Sequence, residues 1–323
     1  MMTTTKHVVC CGMYHSVVLL SDGTIQCHGD NSKNQCDSVH DTFTDVIQIA
    51  CGAYHSVALL SNGTVRCWGD NDYQQCAPVY KTFTDVIQVA CGAHHSVAVL
   101  ADGTVRCWGD NEFDQCDIVH LTFTDVKKVA CGAWHSVTLL SDGTVRLWGS
   151  NMYNQCDPVH RWFTGVFQIA CGLHHSVVLH YDGTVHCWGK NTTNQYDPVT
   201  FQDKVIQVAC GFTHSVALLS DGTVACWGDN SKNQCDPVHL TFRRNVIQIA
   251  CGANHSIALM SDGTVECWGD NSDNQCDSMY QTLTGVMQIA GGNTHTVALL
   301  PDDIIQFWGD NSRNQCESIP QLW

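Results

Sequence analysis

A chain of 323 residues with 44% hydrophobic and only 14% charged residues has ample material for a core and too little charge for much exposed helix. Its formal net charge of −16, from 15 Lys+Arg against 31 Asp+Glu, argues against direct nucleic-acid binding. The largest basic runs are the pairs Lys127-Lys128 and Arg243-Arg244. Acidity of this kind points instead to solubility or a basic partner.

In chain order, the residues before the first strand, Met1 to His7, lack the apolar core of a secretory leader. No later stretch approaches the roughly 20 apolar residues of a membrane span. We therefore read the chain as intracellular or virion-associated, without assigning a compartment. The first strand pattern is His7-Val8-Val9, closing on Cys11-Gly12. A second follows at His15-Ser16-Val17, then Asp22-Gly23 and a third strand ending at Gly29. An Asp-Gly pair between two strands is a hairpin signal, because its residues favour positive φ. Asp-Asn and Asn34-Gln35-Cys36 complete the unit, with room for a short fourth strand at Gln-Cys.

The same pattern recurs. Gly-x-x-His marks it at His15, His55, His95, His135, His175, His214, His255 and His295. Units run approximately 6–45, 46–85, 86–125, 126–165, 166–204, 205–245, 246–285 and 286–323, within one domain spanning 1–323. The eighth has Asp302-Asp303 where the others have a glycine turn, so its hairpin is expected to be looser. Helical periodicity is absent. Strand-forming Val, Ile, Thr and Trp fill each unit. Repeated antiparallel units of this size stack as the blades of an all-β propeller. The small residues of Ala-Cys-Gly place the first strand nearest the ring axis.

Three sets of residues invite chemistry. The 21 cysteines fall into three columns plus Cys10. Small buried hydrophobes, disulfides and metal ligands are all open to them. No Cys-x-x-Cys pair favours zinc, and Leu147, Phe307, Tyr196 and Gly291 fill the gaps, mostly with apolar groups. The candidates for disulfide or thiol chemistry are Cys36, Cys76, Cys116, Cys156, Cys235, Cys276 and Cys316. The eight histidines could ring a metal or sense pH, but recurrence in every unit favours a structural role, each starting a strand and bonding to backbone. A further set, His40, His120, His160 and His239, lies between units. Trp68, Trp108, Trp148, Trp188, Trp227, Trp268 and Trp308 are read as packing between blades, with His28 in the first. The aspartates after Trp-Gly are read as Asx turns and not as calcium ligands. No catalytic constellation, cofactor site or metal site is expected.

The string Ala-Cys-Gly-x-x-His-Ser-Val-Ala-Leu, then Asp-Gly-Thr-Val-x-x-Trp-Gly-x-Asn and Asn-Gln-Cys, resembles the repeat of the RCC1 (regulator of chromosome condensation) family from Lys6 to Trp323. That resemblance implies a β-propeller. Well-known members have seven blades, whereas eight complete units are countable here, so eight blades are expected and seven are the alternative. The resemblance also implies nucleotide exchange on a small GTPase or chromatin binding as activities. The trimmed loops and near-identical units favour a non-catalytic scaffold that binds protein or itself, such as a coat or surface-layer component of a large DNA virus.

Overall fold

The computed structural model describes residues 8–37, 43–77, 83–117, 124–157, 163–193, 201, 203–236, 245–277 and 283–316. The histidines between the units fall outside them. The described residues form eight three-stranded antiparallel sheets, each made from consecutive strands. The first is built from Val8–Cys11, His15–Leu19 and Ile25–Gly29. The second is built from Val46–Cys51, His55–Leu60 and Val65–Gly69. Within a blade the first strand pairs with the second, and the second with the third. The expected fourth strand is missing from the described residues. Gln35 and Cys36 lie in a turn, held there by side chains described below.

Each second strand is buried along nearly its whole length, as in His55–Leu60. It lies mid-blade, so both its faces meet neighbouring blades, and its residues read as a continuous apolar run. The core is therefore divided into seams. One joins Val57, Leu59 and Val65 to Val86, Val89, Ala98 and Trp108 of the next blade. The hairpin between second and third strands is a turn in which Gly23 N–H donates to Leu20 O and Leu20 N–H to Thr24 O. Only the glycine takes positive φ, 82° at Gly23. Asp22 works through its side chain, whose Oδ1 accepts from Thr24 N–H and Oγ1–H. In the eighth blade the turn is a 3-10 turn at Pro301–Asp303, with Asp302 and Asp303 both at φ 60°.

First strands stand side by side around the axis. Gln48 Nε2–H donates to Val89 O of the next blade, and Val89 N–H returns a bond to Gln48 Oε1, each 3.1 Å. The exchange repeats at Gln88 with Val129 and at Gln168 with Val208. Small residues here let one backbone reach the next, and Ala53 N–H donates to Ala93 O at 3.0 Å. The ring closes. Asn293 N–H donates to Met13 O, His295 Nε2 meets Ser16 Oγ at 2.7 Å, and Ser21 Oγ–H donates to Asp303 at 2.7 Å. Eight blades are thus present, each made of one contiguous unit, with no strand shared between the chain ends among the described residues.

Candidate functional site: the face around the channel mouth

First strands end, and third strands end, on the same face of the ring. Two polar systems build that face. The column histidines begin the second strands and are fully buried, His55 and His95 at 0% exposure. Their side chains bond to the next blade's hydroxyl and not to backbone: His55 Nε2 to Ser96 Oγ at 2.9 Å, His95 to Ser136 at 2.9 Å, His255 to Thr296 at 3.0 Å. Ser256 Oγ–H donates to Gln234 O at 3.0 Å. Its proton is therefore committed, and His214 Nε2–H must be the donor toward it. Nδ1 of His55, His95, His135 and others then finds no partner among the described residues. Burial is the main cause that lowers their pKa, to about 3 at His55 and about 4 at His95. The imidazoles are neutral joints between blades. Among the described residues no group of three or more His, Cys, Asp or Glu side chains could hold one.

The second system is the turn after Trp-Gly. Asn31 Oδ1 accepts from Cys36 N–H at 2.9 Å, and Gln35 Oε1 accepts from Lys33 N–H at 2.8 Å. Asp30 Oδ1 accepts from Ser32 N–H, an Asx turn. Asn34 takes φ 61°, which Asn tolerates. The buried Gln35 offers its carbonyl to Trp68 Nε1–H of the next blade at 2.9 Å. The same bond joins Trp108 to Gln75, Trp148 to Gln115, Trp188 to Gln155 and Trp268 to Gln234. Trp227 and Trp308 are buried at the equivalent place. In the first blade His28 packs on Phe307 at 4.6 Å.

What these systems present to solvent differs round the ring. The residue before each histidine is Tyr14, Tyr54, His94, Trp134 and His174 in the first five blades, then Thr213, Asn254 and Thr294. The five rings form an arc, with Tyr14–Tyr54 centroids 6.1 Å apart, Tyr54–His94 6.5 Å and Trp134–His174 5.1 Å. Turn residues of one blade lean onto the next: Tyr73 onto His94, and Tyr153 onto His174, each at 5.0 Å. Lys190 lies 5.3 Å over Tyr153. One cation meets both a ring and a carboxylate, and two others meet carboxylates. Arg313 lies 4.4 Å over the Tyr14 ring and 2.7 Å from Asp30 Oδ2. Lys33 pairs with Asp72 and lies 3.6 Å from Asp70. Lys232 lies 3.6 Å from Asp270. At the centre of the ring a cavity of about 260 Å³ is lined by the turns that follow the first strands of all eight blades, and the arc residues stand outside that lining. Sequence reading missed the arc, because attention fell on residues that recur and the arc is made of those that vary; Trp134 beside His135 was the available signal.

The cysteine columns meet at the seams. Two disulfides are present, Cys10–Cys51 between the first two blades and Cys67–Cys76 within the second. The other 17 cysteines form no disulfide, and Cys156, Cys267 and Cys276 are the buried ones among them. Of the candidate thiols, Cys76 is thus bonded. Cys36, Cys116 and Cys276 each face the third-strand cysteine of their own blade, while Cys235 and Cys316 donate to Asp229 O and Asp310 O.

On the opposite face a β-bulge sits at the start of the first strand, between Val46 and Gln48, and recurs in five further blades. It turns the extra residue outward. Ile47, Ile87, Phe167, Ile206 and Ile247 are exposed there, as is Met287 in the last blade.

A closed eight-bladed ring with a polar joint in every seam defines a β-propeller. Segments 6–35, 46–75, 86–115, 126–155, 168–195, 205–234 and 246–275 match the Regulator of chromosome condensation (RCC1) repeat, and the chain belongs to that family. No curated protein matches it. Among solved structures it is similar to Prp20p from Saccharomyces cerevisiae, described with its binding properties to Gsp1p and histones, at 18% identity over 81% of this chain and 83% of that one, TM-score 0.59. It is also similar to human WBSCR16, at 21% identity over 92% and 88%, TM-score 0.59. The computationally designed Ika8 protein is similar at 16% identity over 95% and 97%, TM-score 0.54. At these identities the likeness concerns the fold.

Proposed function

We propose that the protein is a non-catalytic interaction scaffold that holds a basic segment of a protein partner on its aromatic face. The observation that carries this reading is Arg313, a guanidinium held between the Tyr14 ring and the Asp30 carboxylate. In the next two blades Asp70 N–H donates to Tyr54 O and Asp110 N–H to His94 O, and His94 Nδ1 lies 4.0 Å from Asp70 Oδ2, so aromatic and carboxylate residues adjoin there too. Cation–π contact and a nearby carboxylate both favour Arg and Lys. The net charge of −16 would draw a basic partner in. Prp20p, with the same fold, is described with histones among its ligands.

The test is a titration of the protein with an arginine-rich histone-tail peptide and an acidic peptide of equal length. We expect binding of the basic peptide alone, weakened about tenfold or more by Tyr54→Ala with Trp134→Ala, since buried aromatic anchors dominate such interfaces. Equal affinity for both peptides, or no effect of the double variant, overturns the reading. Acceleration of nucleotide release from a small GTPase panel would favour exchange instead.

The bulged ring supports a second reading, self-association. Evenly spaced exposed Ile, Phe and Met side chains on one face suit contact between two copies. Sedimentation velocity at high concentration is expected to show a dimer that Ile87→Lys with Ile247→Lys disperses. A monomer at every concentration removes this reading.

A further inference from the structure

We propose that Cys27–Cys36, Cys67–Cys76, Cys107–Cys116 and Cys267–Cys276 are thiol–disulfide exchange sites, each able to clamp a blade's third strand to its own aromatic-face turn. The four pairs share one spacing and one place in the blade. Cys67 and Cys76 are bonded, with Cα atoms 5.2 Å apart, within the range a disulfide requires. In the other three the sulfurs lie 2.9, 2.7 and 3.1 Å apart.

The placement does not depend on sulfur chemistry. The first cysteine of each pair is fixed by strand pairing, Val17 with Cys27 and Val97 with Cys107. The second is fixed by an asparagine that accepts from its N–H, Asn31 for Cys36, Asn111 for Cys116 and Asn271 for Cys276. Closing the bond therefore needs no rearrangement of the backbone. Blades four, five and eight cannot close it, because Leu147, Tyr196 and Phe307 replace one partner. The sixth blade has Cys226 and Cys235, but there no sulfur–sulfur contact joins the two, and Cys235 donates instead to Asp229 O at 3.2 Å. Two sulfurs with no third ligand make a poor metal site.

The oxidant is a low-molecular-weight disulfide. The thiolate of one cysteine attacks it, forming a mixed disulfide and releasing one small thiol. The second cysteine attacks the protein-bound sulfur and releases the other. Each protein thiol has lost a hydrogen, the pair has lost two electrons, and the small disulfide has become two thiols. Desolvation, and then the neighbouring thiol, hold the Cys27 and Cys107 thiols well above their ordinary range. Thiolate is scarce at neutral pH, so closure is slow and suited to a lasting state of the blade.

The test equilibrates folded protein in glutathione buffers of graded ratio, quenches with acid, alkylates under denaturing conditions and maps the peptides by mass spectrometry. We expect links 27–36, 67–76, 107–116 and 267–276 to form with increasing oxidant, while Cys156, Cys187 and Cys316 stay alkylated in the same sample. Cys116→Ser should remove only the 107–116 link and leave Cys107 alkylated. Full alkylation of all four pairs at every ratio overturns the proposal. So does linkage of a member of these four pairs to a cysteine of another blade, such as Cys36 with Cys51, or capture of Cys107 by Cys131 in the Cys116→Ser variant at the yield of the native link.

Discussion

Acidification from pH 7 toward 5 is expected to unfold the protein in one steep step that takes up several protons. Eight buried histidines carry the effect. Burial lowers the pKa to about 3 at His15, His55, His135, His175 and His255, and to about 4 at His95, His214 and His295. Neighbouring ring histidines add to this at His15 and His55. In the unfolded chain each returns to about 6.5. Between those values the unfolded state binds more protons, so stability is full above about pH 6.5 and falls as pH drops toward the folded values. Each histidine loses about 1.4 kcal/mol per pH unit in that window. Eight together lose about 11 kcal/mol per unit, comparable with the whole stability of an ordinary domain. The ring therefore fails well above pH 4, before any single joint titrates in place. Tryptophan fluorescence against pH, with calorimetry in buffers of different ionisation enthalpy, measures midpoint and proton uptake. Structure retained down to pH 3, or uptake of fewer than about two protons, contradicts the account.

The second large effect is steric. Gly92→Ala is expected to destabilise the fold by about 3 kcal/mol or more, the upper end of overpacking costs. A Cβ on Gly92 would stand 2.1 Å from His95 Cε1, 2.4 Å from its Nδ1 and 2.7 Å from Gly132 O of the next blade. The imidazole cannot retreat without leaving Ser136, and the carbonyl belongs to the inner ring. Chemical denaturation of Gly92→Ala beside Ala93→Gly separates this clash from a general change at the turn. A shift below about 1 kcal/mol in Gly92→Ala would show that the joint can relax.

The propeller was legible because its rules repeat. Period, hairpin glycine and the small residues of the inner strand are local requirements, and eight copies of each leave one architecture. The eight-blade count followed from complete units, although the family resemblance pointed to seven. The fourth strand failed for a local reason: Asn31 and Gln35 satisfy the backbone of residues 33–36 within the turn, leaving Gln-Cys no ladder to join. The histidines were placed at strand starts, but their partner is a Ser or Thr hydroxyl of the next blade, 40 to 42 residues on except where the ring closes on Ser16, a contact made only when blades pack. The aromatic arc was hidden by the same logic that revealed the fold, since alignment of columns discards what varies.

Every blade carries both halves of the joint, a histidine that reaches forward and a hydroxyl that is reached. Such a circle has no privileged origin. Each of the eight fastenings finds its complement in the following blade, whichever blade is counted first. At the seam between last and first blades, Ser21 to Asp303 marks where the circle is closed by contact and not by peptide; Arg313 to Asp30 there repeats the pairing of Lys33 with Asp70 and of Lys232 with Asp270 at other seams.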